Sequence, residues 1–175
     1  MAWESALGSL IEVAIALAGF SGIVAAVGRR GAGHWSPVDQ LRLRILLTAA
    51  GAALAFAFLP FLLIDVMDPS LVWRSCSGVH ATFVFGILLY RFREVSVLDV
   101  TQALGKRAIA FMFVGASTAF MVSLSNALWF ASSSLYVLAI VWHVVSAFLT
   151  FVALLLDAWG EPPISTPPPP GNWPG

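Results

Sequence analysis

Five apolar runs, at 7–28, 45–64, 71–90, 109–130 and 135–156, fill most of the chain and are broken by short polar connections. Each approaches or exceeds the roughly 20 residues that a helix rising about 1.5 Å per residue needs to cross about 30 Å of hydrocarbon. Lipid offers no partner to backbone N–H and C=O groups, so runs of this length are satisfied internally, as helices. The runs therefore predict an all-α integral membrane bundle of five transmembrane helices near 5–28, 37–66, 69–92, 107–130 and 133–157. A soluble core is disfavoured, because 59% of the residues are hydrophobic, 10% are charged and the mean hydropathy is +0.90. One bundle, residues 1–159, accounts for the chain up to a Pro-rich tail at 160–175 that is expected to be disordered and solvated.

Basic residues set the expected orientation. Arg29, Arg30, Arg42 and Arg44 flank the first connection, and Arg91, Arg93, Lys106 and Arg107 flank the third; Arg74 stands apart. The positive-inside rule puts those two connections in the cytoplasm, the amino terminus outside and the tail inside. The first run is too long for a signal-peptide core and follows no basic segment, so it is read as a retained helix. A four-span arrangement with a re-entrant first helix is the competing topology, since Glu12 and its neighbouring glycines weaken that span. A net charge of zero provides no nucleic-acid surface, and the single cysteine, Cys76, excludes an internal disulfide.

Local punctuation supports the breaks. Ser36-Pro37-Val38-Asp39 places a capping serine, a proline at the first helical position and an acidic residue in the first turn, and Asp68-Pro69 does the same for the third helix. Pro60 falls inside the second helix, where it should kink the backbone or free a carbonyl for a neighbouring helix to satisfy. Trp3, Trp35, Trp73, Trp129 and Trp159 lie near predicted boundaries, as in an aromatic belt. Small residues mark close helix packing in lipid. Ala14, Ala18, Gly22 and Ala26 on helix one, beside Gly8, Ala16 and Gly19, and Ala49, Ala53 and Ala57 on helix two, are expected either to join those helices or to pair protomers in a homo-oligomer or larger membrane complex.

The candidate functional residues are the ionisable and polar groups inside the runs, since a charge near the bilayer centre is costly unless paired or hydrated. Counted from the edges of the runs, Glu12 and Arg74 have matching depth, which suggests an ion pair, with Asp65 and Asp68 as competitors for the arginine. His80 and His143 each fall about ten residues, roughly 15 Å, into helices that enter from the same side. They are candidates for structural hydrogen bonds, for a proton or ion path, or for the axial ligands of haem b. Ser117, Thr118, Ser123, Ser125 and Asn126 make the outer half of helix four polar. If Glu12, Arg74, His80, Asn126 and His143 converge, they line a small cavity opening outward.

No Walker loop, dinucleotide fingerprint, HExxH or Gly-x-Ser-x-Gly occurs, and Gly19-Phe20-Ser21-Gly22 lacks the spacing of a nucleophile elbow. No catalytic or metal-binding set is therefore assigned. The segment from Glu12 to Val24, with Arg29-Arg30, Trp35-Ser36-Pro37 and Leu41-Arg42-Leu43-Arg44, resembles an uncharacterised family of small bacterial multi-span inner-membrane proteins. The likeness covers the first third of the chain. It implies residence in a bacterial inner membrane and brings no activity or site residue with it. The expected role is a small oligomeric channel or transporter-like protein, or an accessory subunit of a membrane complex. The alternatives are a haem b electron carrier and, last, an intramembrane enzyme using His and Glu as acid and base.

Overall fold

The computed structural model describes residues 2–32, 37–97 and 106–158, and apart from two short turns at 64–68 and 131–132 these are helical. The helices are α1 (Ala2–Ala32), α2 (Pro37–Leu63), α3 (Pro69–Val97), α4 (Lys106–Ser125) and α5 (Ser133–Ala158). A π-helical turn, Asn126–Phe130, prolongs α4 to its end. All five are long and apolar enough to span a membrane, within Trp3–Ile23, Val38–Leu63, Pro69–Arg93, Arg107–Phe130 and Ser133–Leu156. The helical ends that carry the two expected basic clusters come together at one end of the bundle, and the α2–α3 and α4–α5 turns form the other. Ser36, Trp35, Trp159 and the tail lie outside the described residues.

The boundaries that move most are those of α1, which runs from Ala2 to Ala32 rather than 5–28, and the far ends of α2 and α3. Helix α2 stops at Leu63, three residues before the predicted 66, because Val66 and Met67 both donate their N–H to the Leu63 carbonyl and close the turn. Helix α3 runs on to Val97 rather than 92. Pro69 opens α3 as the sequence predicts, with Val72 N–H bonded to the Asp68 carbonyl.

Helix α5 is the hub. It packs most extensively on α2, also on α1 and α4, and touches α3; α1 leans on α2 and α5, while α4 leans on α3 and α5. The α2 alanine stripe explains the first of these contacts. Ala49, Ala53 and Ala57 are all buried, as are Ala139 and Ala147 of α5, so the backbones approach closely. On α1 the buried stripe is Leu7, Ala14, Leu17 and Ser21, of which the small-residue reading named only Ala14. Gly22 is exposed, and Gly8, Gly19 and Gly22 look onto open space, so most of the smooth side of α1 faces away from the bundle.

The two turns are built differently. Ala131 closes the π turn in the left-handed region at φ 52°, its N–H bonded to the Asn126 carbonyl at 2.9 Å. Arg74 reaches across from α3 and donates Nη1 to the carbonyls of Ala127 at 3.1 Å and Leu128 at 2.7 Å. A cation at a helix C-terminus meets both the orphan carbonyls and the negative end of the helix dipole.

Pro60 behaves as expected. Having no N–H, it leaves the carbonyl four residues earlier, that of Phe56, without its helical donor. Tyr136 of α5, fully buried, supplies its hydroxyl to that oxygen at 2.7 Å. Trp73 is also buried, between Trp3 and Tyr136, and so belongs to the packing of the turn end rather than to an interfacial belt; Trp129 is exposed.

Candidate functional site

His80 of α3 and His143 of α5 meet at mid-bundle, where their equal depth predicted. Their Nε2 atoms are 3.0 Å apart, and His80 Nδ1 lies 2.7 Å from Ser123 Oγ on α4. One Nε2 must carry hydrogen and the other accept it. If His80 donates to His143, its Nδ1 accepts from the serine hydroxyl; if His143 donates, His80 Nδ1 donates to the serine. These are the two tautomeric arrangements that the distances allow, each with one hydrogen bond between the rings and one to the serine.

The surroundings of the pair are apolar. Phe56 stands edge-on to His80 at 4.7 Å and stacks at 6.4 Å on His143, with Phe83 and Tyr136 completing the wall. His80 is wholly buried and His143 nearly so. An iron held by both rings would separate the Nε2 atoms by about 4 Å, twice a metal–imidazole bond of about 2.0 Å. At 3.0 Å the pair is joined by a hydrogen bond and does not fit an axial set as arranged. No group of three or more metal-ligating side chains assembles among the described residues.

Asn126 forms a second polar cluster nearer the turns. Its Nδ2 donates to Ser77 Oγ at 2.8 Å and to the Ser132 carbonyl at 2.9 Å, and its Oδ1 accepts from Ser132 N–H at 2.7 Å. Every side-chain atom capable of bonding is used, which pins the α4–α5 turn to α3. The placement of Asn126 was legible in the sequence; its task as a lock on the turn was not.

Glu12 and Arg74 do not meet. Trp3 packs edge-on against Trp73 at 5.1 Å, so the first turn of α1 is level with Arg74. Glu12 lies nine residues further along, about 14 Å deeper, close to the level of the histidines. It is exposed on the outer side of α1, and among the described residues no ion pair joins it to Arg74. Depth judged from the edge of a hydropathy run misplaced it by about two turns. Ser5, Ser9, Ala16 and Gly19 are exposed along the same side of α1.

Of the five residues expected to line an outward cavity, Glu12 is exposed on the outer side of α1 and His143 lines a cavity toward the basic end. That cavity, of about 110 Å³, lies between α2, α3, α4 and α5. Leu41, Arg91 and Ile109 stand at its mouth, at the basic end; Ala49, Val84, Ala116 and His143 form its floor. It exists because α2 and α3, joined by a turn, pack on each other far less than α2 packs on α5. Trp142 lines one wall, its indole tilted against Phe111 at 5.4 Å and lying where a Cβ on Gly115 would stand, so only glycine admits it. Sequence reasoning assigned Arg91 to topology alone and did not mark Trp142 or Gly115, because a slot between four helices has no signature in any one of them.

Comparison with known proteins finds no matching family model, no similar curated protein and no similar solved structure.

Proposed function

We propose that the chain is a bacterial inner-membrane protein with its amino terminus outside. In this reading it acts as a symmetric oligomer that conducts or transports a cation along the outer faces of α1. The supporting observation is Glu12. A carboxyl near the middle of a span nearly always faces protein or water, because exposure to hydrocarbon costs several kcal/mol. In one protomer Glu12 faces neither. Copies gathered about an axis through this side of α1 would bring their Glu12 carboxyls into a ring at mid-depth, with Ser5 and Ser9 hydroxyls on one side and the small Ala16 and Gly19 on the other. Rings of carboxylates select cations. Clustering of the basic residues at one end of the bundle supports the orientation.

Crosslinking and flux together test this. Ser9→Cys should crosslink protomers in native membranes, since Cys76, the chain's own thiol, is buried, while Leu138→Cys on the exposed side of α5 should not. Proteoliposomes should pass a monovalent cation, and Glu12→Gln should lose most of that flux while keeping the oligomer. A monomeric mass in the membrane, or unchanged flux in Glu12→Gln, refutes the reading. A crosslink to a second polypeptide would make the chain an accessory subunit instead.

A further inference from the structure

We infer that the slot between α2, α3, α4 and α5 is a one-sided aqueous passage, in which a short file of water joins the ring of His143 to the medium at the basic end of the bundle, while the turn end of the histidine pair is sealed. The α1 face plays no part in it.

The polar atoms of the lining point to water. A hydroxyl inside a helix commonly bonds back to a carbonyl three or four residues earlier. Thr82, Thr118 and Thr150 do so to Gly78, Val114 and Ser146, and Ser21 and Ser125 do so to Ala18 and Val122. Thr48 and Ser146, both in the lining of the slot, do not: among the described residues no hydrogen bond occupies either hydroxyl. His143 is 6% exposed, and of its two ring nitrogens only Nε2 is engaged, with His80. Its Nδ1 has no partner among the described residues and is not shut away among packed side chains, so it opens on the slot that the ring lines. A polar group left unbonded inside a bundle is costly. Water suits this nitrogen better than a one-way donor or acceptor. In one tautomeric arrangement of the pair His143 Nδ1 carries hydrogen and in the other a lone pair, and a water molecule answers both.

The dimensions agree. A volume of about 110 Å³ holds about four waters at roughly 30 Å³ each. Along α2 the lining runs from Leu41 to Ala49, eight residues, or about 12 Å of axial depth. Four waters in file from Nδ1, at about 2.8 Å per hydrogen bond, cover about 11 Å. Thr48 stands at the deep level and Ser146 about one turn nearer the mouth, so the innermost waters have the two or more polar partners that internal water needs. Ile45, Val84, Leu88, Met112 and Phe113 keep the file narrow. Toward the turns the bundle is closed. Val72, Cys76, Ser77, Ser123, Asn126 and Tyr136 are wholly buried there, and Ser123, Asn126 and Ser77 spend hydrogen bonds on one another's helices and on His80. The passage therefore ends at the rings, and His143 exchanges protons with the medium at the basic end alone.

Radiolytic footprinting tests this, because hydroxyl radicals form from water and mark only the side chains beside it. The full chain in lipid nanodiscs is given brief X-ray pulses, and oxidation is mapped by peptide. The expected result is oxidation of Trp142, deep in the slot, and of Met112, with Met121 unmarked on the lipid-facing side of α4 although it is 60% exposed. Cys76 and Tyr136, radical-reactive side chains on the sealed side, should also stay unmarked. Thr48→Val with Ser146→Ala should lower Trp142 oxidation several-fold by taking fixed partners from the water, and an unmarked Cys76 in that variant shows that the bundle has stayed closed. Exchange of the imidazole Cε1 hydrogen for deuterium in heavy water reads the two rings apart, and His143 should exchange several-fold faster than His80. Trp142 and Met112 no more oxidised than Met121 overturns the aqueous passage. Oxidation of Cys76 and Tyr136 alongside Trp142 in the wild type overturns its one-sidedness, and equal exchange at both histidines overturns its contact with His143. None of these results touches the Glu12 crosslinking and flux, so the two readings fail separately.

Discussion

Tyr136→Phe removes one oxygen atom, and Pro60 determines what that costs. The Tyr136 hydroxyl is the donor that reaches the Phe56 carbonyl, at 2.7 Å inside the bundle, because the proline nitrogen four residues on has no hydrogen to give. Losing it leaves a buried carbonyl without a donor. An unsatisfied buried group costs about 1–3 kcal/mol, whereas hydrogen bonds between membrane helices average about 0.6 and reach about 1.7 kcal/mol. The proline prevents the helix from recovering the bond, so the expected loss is about 1–2 kcal/mol, in the upper part of the membrane range. Pro60→Ala should change this sharply. An alanine N–H at position 60 restores the bond to the Phe56 oxygen within α2, and Tyr136→Phe in that background should cost only a few tenths of a kcal/mol. The assay is reversible unfolding in mixed micelles of the wild type, both single variants and the double variant, followed by tryptophan fluorescence. Trp73 lies 5.8 Å from the Tyr136 ring and reports locally. A Tyr136→Phe cost that is the same in both backgrounds would refute the reasoning, since the hydroxyl would then not be replacing the missing helical donor.

Other substitutions test the remaining contacts. Asn126→Ala removes three hydrogen bonds and strands Ser132 N–H, so it should destabilise the bundle by about 2–3 kcal/mol and raise thiol-reagent access at Ser133→Cys, at the half-buried start of α5. Gly115→Ala places a methyl group inside the Trp142 ring; the indole should swing into the slot, with a shifted emission maximum and a loss of about 1–3 kcal/mol in unfolding experiments. Ala131→Gly should stabilise by about 0.5–1 kcal/mol in the same experiments, because alanine is strained at φ 52° and glycine is not.

Hydropathy made the five spans legible, and with them the equal depth of His80 and His143, because span length and helical rise are fixed by the bilayer and by backbone geometry. Pro60 announced a free carbonyl for the same reason: the missing N–H is a property of the residue. What could not be read were relations between helices. Whether Ala14 or Gly8 faces inward depends on how α1 is rotated against α2 and α5, and α1 offers small residues on both sides. Arg74 had carboxylates nearby in sequence and in estimated depth, yet it took the carbonyls of Ala127 and Leu128, because the π turn ends within its reach. Trp3 set the register that separated Glu12 from it, and only its contact with Trp73 reveals that register. The slot is a property of four helices at once.

The bond between Tyr136 and Phe56 also bears on how the protein is made. Helix α2 enters the membrane early in synthesis with one carbonyl that its own backbone cannot serve, and the group that serves it sits on α5, the last of the described helices to leave the ribosome. Until then α2 also lacks the helix that covers its alanine stripe. Completion of the bundle is thus tied to arrival of its final span, and a chain interrupted in the α4–α5 turn would carry a polar defect at mid-membrane, the kind of flaw by which membrane proteases and chaperones tell unfinished proteins from finished ones.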